Sequence, residues 1–117
     1  MEKKKKILLV DDSRLVLKIG ERCLEGHYDV RTAASGAEAL AKAIAERPDL
    51  VLTDMNLPDV SGRQIIESLA LDGRTRGVKA VIVTTASEIA RLGPGVETLA
   101  KPFDPESLLA KVTECLA

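Results

Sequence analysis

The strongest constraint in this chain is a set of short apolar runs that do not alternate. Ile7-Leu8-Leu9-Val10, Leu50-Val51-Leu52-Thr53 and Val81-Ile82-Val83 are almost wholly apolar on successive residues. Neighbouring residues of a strand point to opposite faces, so such a run must be covered on both sides. That is the pattern of a parallel sheet between helices. Longer segments of helical spacing separate the runs. Val16, Ile19, Cys23 and Leu24 mark a first helix. Leu40 and Ile44 mark a second, opened by Ser35-Gly36-Ala37-Glu38 and closed at Arg47-Pro48. Ile65, Ile66, Leu69 and Ala70 mark a third. Tyr28 to Ala33 alternates weakly, as an edge strand does, while Val78 to Thr85 and Val96 to Ala100 read as the fourth and fifth strands. The last helix has Asp104 to cap it, Pro105 at its first position and an apolar face of Leu108, Leu109, Val112 and Leu116. The whole predicts a doubly wound α/β fold: a five-stranded parallel sheet with helices on both faces.

One stretch is short. Fifteen residues separate Thr85 from Lys101, and the fifth strand and the Gly93-Pro94-Gly95 turn take about half. Ala86 to Leu92 must hold a loop and a helix, which predicts a shortened fourth helix of no more than about one and a half turns. Aromatic residues are Tyr28 and Phe103 alone, so the core is aliphatic and no base-stacking platform can form. Lys3 to Lys6 form a basic run; removing it leaves 13 basic residues against 18 acidic, a net charge of −5. Such a remainder does not look like a nucleic-acid binder, and the run reads as a solvated lead-in over residues 1–5, with a weak anion-binding arm as the alternative. Cys23 and Cys115 lie far apart on apolar helix faces and read as buried free thiols. No apolar run is long enough for a membrane span or a signal-peptide core, and these features together point to a cytoplasmic protein.

In open parallel sheets, sites form beyond the carboxyl ends of the strands. Asp11 and Asp12 end strand one, Asp54 ends strand three, Thr85 strand four and Lys101 strand five. If strands one and three are neighbours, three carboxylates converge. Converging carboxylates repel unless a cation joins them, and Mg²⁺ suits oxygen ligands while recruiting phosphate. A nucleophilic carboxylate with a metal, an ammonium and a hydroxyl around it is an arrangement for phosphoryl transfer.

These residues carry a resemblance. Leu8-Leu9-Val10-Asp11-Asp12, Asp54-Met55-Asn56-Leu57-Pro58-Asp59-Val60-Ser61-Gly62, Thr85-Ala86 and Lys101-Pro102-Phe103 stand in the order found in response-regulator receiver domains, the phospho-acceptor modules of two-component signalling. The resemblance spans nearly the whole chain. It implies the strand order 2-1-3-4-5 and a single receiver domain over 1–117, either standing alone or cut from a larger regulator. It implies that Asp54 accepts a phosphoryl group from a sensor histidine kinase or phosphotransfer protein. Asp11, Asp12, Asp54 and the backbone carbonyl of Asn56 then hold Mg²⁺. Thr85 resembles the switch hydroxyl, with Thr84 its rival, and Lys101 resembles the lysine that pairs with a phosphoryl oxygen. The Lys101-Pro102 bond is implied to be cis. Such modules catalyse their own phosphorylation and dephosphorylation, act on a downstream protein target and occur as monomers or weak homodimers.

The pattern also departs from the family. Thr98 stands where an aromatic switch residue is usual, and the fourth helix is short, so the usual readout surface is altered and either output through another face or weaker switching is expected. Both departures favour an alternative, a receiver-like interaction module that acts without phosphorylation; the complete acidic pocket opposes it. An aspartate-nucleophile phosphatase would need a second Asp where Asn56 stands, and a dinucleotide-binding domain would need a Gly-rich loop in place of Asp11-Asp12-Ser13-Arg14. His27, the one histidine, lies in a Gly-His-Tyr turn and reads as an ordinary loop residue.

Overall fold

The computed structural model of the chain describes residues 3–117. Five strands alternate with five helices: β1 (Lys6–Val10), α1 (Arg14–Leu24), β2 (Asp29–Ala33), α2 (Gly36–Glu46), β3 (Leu50–Asp54), α3 (Gly62–Leu71), β4 (Lys79–Thr85), α4 (Ala86–Leu92), β5 (Thr98–Lys101) and α5 (Pro105–Leu116). All strand pairs are parallel, in the order β2-β1-β3-β4-β5.

The pleat sorts the apolar runs onto two faces. Ile7 and Leu9 of β1 join Leu50 and Leu52 of β3, Val81 and Val83 of β4, Leu24 of α1 and Leu108 and Val112 of α5. Leu8 and Val10 turn the other way, with Val51, to meet Ala39 and Ala43 of α2 and Ile65 and Leu69 of α3. This is why the runs do not alternate. Burying one such aliphatic side chain stabilises the fold by about 1.5–3 kcal/mol.

Helix starts follow the capping chemistry. Ser13, Ser35, Ser61, Thr85 and Asp104 each accept the N–H three residues on. Asp11 therefore does not cap α1. Its Oδ1 accepts the Ser13 N–H at 2.9 Å, which leaves its other oxygen facing the strand ends.

Several expectations need correction. The short fourth helix is present, but it begins directly after the Thr85 cap with no intervening loop, so its seven residues make about two turns. It stops at Gly93, whose φ of 76° ends the helix, and Gly95 follows at φ 89°. This turn delays β5, which starts at Thr98, so Lys101 is its last residue. Ile19 was placed on the buried face of α1 but is 45% exposed. Gly20 takes the inner position, where an added Cβ would lie 2.9 Å from a Leu9 methyl. Successive helical residues differ by about 100° in direction, so turning Gly20 inward turns Ile19 out. Cys23 and Cys115 are free thiols but half-buried, not buried.

The lysine run is more than a lead-in. Lys4, Lys5 and Lys6 place their ammonium groups on the carbonyls of Glu25, Leu116 and Glu46, at 3.4, 3.3 and 3.0 Å. Lys79 reaches the Cys115 carbonyl at 2.6 Å. These carbonyls lie at the C-terminal ends of α1, α2 and α5, where helix dipoles favour cations. Met1 and Glu2 of the expected lead-in lie outside the described residues. No helix among the described residues is long and apolar enough to cross a membrane.

The burial pattern predicts a contrast that urea denaturation can measure. Leu8→Ala, at a side chain 1% exposed, is expected to cost about 2–5 kcal/mol. Leu71→Ala, at a side chain 83% exposed on α3, is expected to stay within about 0.5 kcal/mol of the parent.

Candidate functional site

The parallel sheet brings the carboxyl ends of β1 and β3 side by side, because Val10 pairs with Thr53. Asp11, Asp12 and Asp54 follow from this register. One carboxylate oxygen from each lies within 4.8 Å of the others. Asp11 is buried, Asp54 half-buried and Asp12 exposed, so the cluster opens to solvent on one side.

Lys101 reaches in from the end of β5. Its ammonium lies 2.8 Å from Asp11 Oδ2 and 3.3 Å from Asp54 Oδ1. The Met55 N–H donates to Asp54 Oδ1 at 2.9 Å. Asp54 Oδ2 accepts no hydrogen bond among the described residues, so one carboxylate oxygen is left free.

The electrostatics is unbalanced. Three carboxylates face one ammonium. Burial pushes the Asp54 carboxyl above its ordinary value, and the Asp11 charge adds to the rise; Lys101 and the Met55 N–H oppose it. An apolar cavity of about 30 Å³ lies beside Asp11 and Asp54, lined by Leu52, Val83 and Phe103 among others. Burial disfavours the Lys101 ammonium as well, yet its contacts with Asp11 and Asp54 prevail and raise its pKa. A cluster of hard oxygen donors with excess negative charge suits a divalent cation such as Mg²⁺.

The remaining predicted residues are close but engaged elsewhere. Thr84 is 2% exposed and points into the fold, while Thr85 is exposed and pairs in register with Lys101. The Thr85 hydroxyl caps α4, 3.4 Å from the Glu88 N–H and 3.2 Å from Ser87 Oγ. It makes no hydrogen bond to Asp54 or Lys101. Asn56 lies in the loop after β3, which folds back tightly: Gly62 N–H donates to the Met55 carbonyl at 2.7 Å. A Cβ at Gly62 would lie 2.5 Å from the Asp54 carbonyl oxygen, so this return requires glycine. The Lys101-Pro102 bond is cis, as expected. Thr98 is half-buried on β5, opposite Ile82. His27 sits exposed in the turn before β2, as expected.

Two residues at the rim were not singled out from the sequence. Glu88 accepts the Asn56 side-chain amide with both oxygens, at 3.1 and 3.2 Å. Asp59 accepts N–H groups from the start of α2. Neither contact has a local signature, because each joins elements distant in sequence.

Comparison with known proteins agrees with this geometry. The family model of the response regulator receiver domain matches residues 7–113. Protein PilH of Pseudomonas aeruginosa is 34% identical over 119 residues, covering 96% of this chain and 98% of that protein. The DNA-binding dual master transcriptional regulator RpaA of Synechocystis is 32% identical over 117 residues; the match covers 95% of this chain but 48% of RpaA, so the chain spans about half the length of that relative. Among solved structures, the chemotaxis response regulator CheY4 of Vibrio cholerae superposes with a TM-score of 0.87 at 32% identity, over 97% of this chain and 99% of that one. A doubly wound sheet in this order, with a carboxylate cluster at the ends of β1 and β3 and a family match along nearly its whole length, makes this chain a member of the response-regulator receiver family, the phospho-acceptor modules of two-component signalling.

Proposed function

We propose that Asp54 takes a phosphoryl group from the phosphohistidine of a sensor kinase or phosphotransfer protein, and that this modification changes binding to a downstream protein. The observation that carries the reading is the Asp54 carboxylate, set among two further carboxylates, with Oδ1 held 3.3 Å from the Lys101 ammonium and Oδ2 left free. A lone pair of Oδ2 attacks phosphorus. The new O–P bond forms as the P–N bond of the donor breaks, and the departing imidazole keeps the electron pair and takes a proton. Such transfer needs positioning and charge neutralisation more than proton relays.

Each residue then has a role. Asp11, Asp12, Asp54 and the Asn56 backbone carbonyl would hold Mg²⁺, which when bound supplies charge neutralisation for the carboxylates and phosphoryl oxygens. Lys101, fixed by Asp11, pairs with a phosphoryl oxygen after transfer. Thr85 is the hydroxyl that turns toward the phosphoryl group. To do so it must leave the Glu88 N–H, and losing an N-cap costs about 0.5–2 kcal/mol. In a helix of seven residues that cost falls on half the element, so the move loosens the first turn of α4. Phosphorylation is thereby transmitted to α4 without an aromatic side chain at position 98.

Incubation with acetyl phosphate and Mg²⁺ tests the central step by intact mass. One phosphoryl group is expected on the parent chain and none on Asp54→Ala; a gain that survives the substitution overturns the reading.

The unbalanced pocket predicts a second result. The folded pKa of Asp54 lies above its unfolded value, so its favourable contribution is present at low pH and is lost as pH rises through the folded pKa. At neutral pH the ionised carboxylate opposes folding. Asp54→Asn is therefore expected to raise the thermal unfolding midpoint in metal-free buffer at pH 7. The gain should shrink as the pH is lowered toward 4. Scanning calorimetry across that range is the check.

A further inference from the structure

Asp59 lies in the loop between β3 and α3, and its carboxylate is spent on a different element. Oδ1 accepts the Gly36 N–H and Oδ2 the Ala37 N–H, each at 2.9 Å. Oδ1 also accepts the Val60 N–H at 3.0 Å. Gly36 and Ala37 open α2, and first-turn amides have no acceptor inside their own helix. Ser35 supplies the next acceptor, taking the Glu38 N–H at 3.2 Å. The start of α2 is thus capped half by its own serine and half by the loop that follows Asp54. These backbone donors hold the Asp59 carboxyl below the usual carboxylate range. A negative group at the positive end of a helix is favoured in its own right.

The contact is close as well as polar. A Cβ at Gly36 would lie 2.1 Å from a Val60 methyl and 3.2 Å from Asp59 Oδ1. The loop is internally tied, so it moves as one piece. Leu57 N–H donates to the Val60 carbonyl at 3.2 Å, and Asn56 and Ser61 form an antiparallel bridge. Displacement at residue 59 is therefore passed to residue 56 and not absorbed between them. On its far side the loop is held by the Asn56–Glu88 hydrogen bonds to α4. It is suspended between two helices, with α2 gripping its tip.

We propose that Asp59 is a positioning residue for the metal site: by clasping the first turn of α2, it fixes the loop and the direction of the Asn56 carbonyl. The inference rests on the reading of that carbonyl as a metal ligand. Without Asp59, two helix amides turn to water and the loop loses its polar tie to α2, keeping the tether to α4 and the packing of Leu57 and Val60. Removing an outer partner that orients a metal ligand typically costs about 10–100-fold in metal affinity.

Isothermal titration of the unphosphorylated chain with Mg²⁺ tests this, with no phosphoryl transfer involved. Asp59→Ala is expected to weaken binding by about tenfold, the lower end for outer partners of metal ligands. Gly36→Ala wedges the same contact from the other element and is expected to weaken binding too. Asp59→Asn keeps one acceptor oxygen and should fall between Asp59→Ala and the parent. Ser35→Ala is the control: it removes a cap from the same helix end, lowers the unfolding midpoint and leaves the loop contact intact, so its Mg²⁺ affinity should stay within about twofold of the parent. Parent-like affinity in Asp59→Ala overturns the proposal. So does a loss in Ser35→Ala as large as that in Asp59→Ala, since affinity would then follow helix stability alone. A parent chain that takes up no Mg²⁺ overturns the metal reading itself, a result distinct from a loss confined to the variants.

Discussion

The site is organised by the Lys101 ammonium, which lies between Asp11 at 2.8 Å and Asp54 at 3.3 Å. These groups follow or end β1, β3 and β5, so one side chain ties the ends of three strands. Lys101 must cross the end of β4 to do it, because β4 lies between β3 and β5. That end carries Thr85 and Ala86, both small. The tie does not neutralise the cluster, since three carboxylates meet one ammonium. The fold has built a place where negative charge is gathered, partly desolvated and undercompensated. Such a place is stabilised by a cation and is prepared for an incoming group whose own oxygens need counter-charge.

What surrounds this pair is a set of short tethers. Ser13 caps α1 while its N–H orients Asp11. Asp59 grips α2, Glu88 grips Asn56, and Thr85 caps α4. Each tether uses a helix end or a loop near the strand termini, where backbone donors lack partners of their own. The same groups that satisfy these donors therefore set the position of the site. A change at one of them has two effects, one on local stability and one on the pocket. The opposite end of the sheet is arranged differently. There Lys4, Lys5, Lys6 and Lys79 meet helix carbonyls, away from the carboxylates.

Much of this was legible in the sequence, and the limits have physical causes. Unbroken apolar runs in β1, β3 and β4 specify burial on both faces, and that specifies the layers. The order of the strands is not written in periodicity; it came with the resemblance, as did the roles of Asp54 and Lys101. Ile19 was misplaced because helical spacing defines a broad stripe, and only the close approach of Gly20 to Leu9 fixes which part of it faces inward. The length of α4 was underestimated because a loop was assumed where Thr85 caps the helix directly from the strand. The contacts of Asp59 and Glu88 leave no local signal, because their partners are 22 or 23 and 32 residues away. The contacts of the lysine run have no sequence signal, because cations at helix C-termini become visible only once the helices are placed.

Thr98 and the two-turn α4 bear on how a modified site would be read. An aromatic switch works by moving a large side chain between a buried and an exposed place. Thr98 has no such volume to move. Under the proposed function the change would instead pass through hydrogen bonds near Asp54, several of which meet at α4. Its first turn depends on the Thr85 cap and on Glu88, which also holds Asn56. Its last turn is held by Arg63, whose guanidinium reaches the Leu92 carbonyl at 3.4 Å. A helix of seven residues has little cooperative stability of its own, so these end contacts decide where it lies. Drawing Thr85 toward a phosphoryl group removes one of them. On the proposed role of Thr85, the first turn of α4 would be freed to shift while its last turn stays anchored to α3, a smaller and more local output than a swinging ring would give.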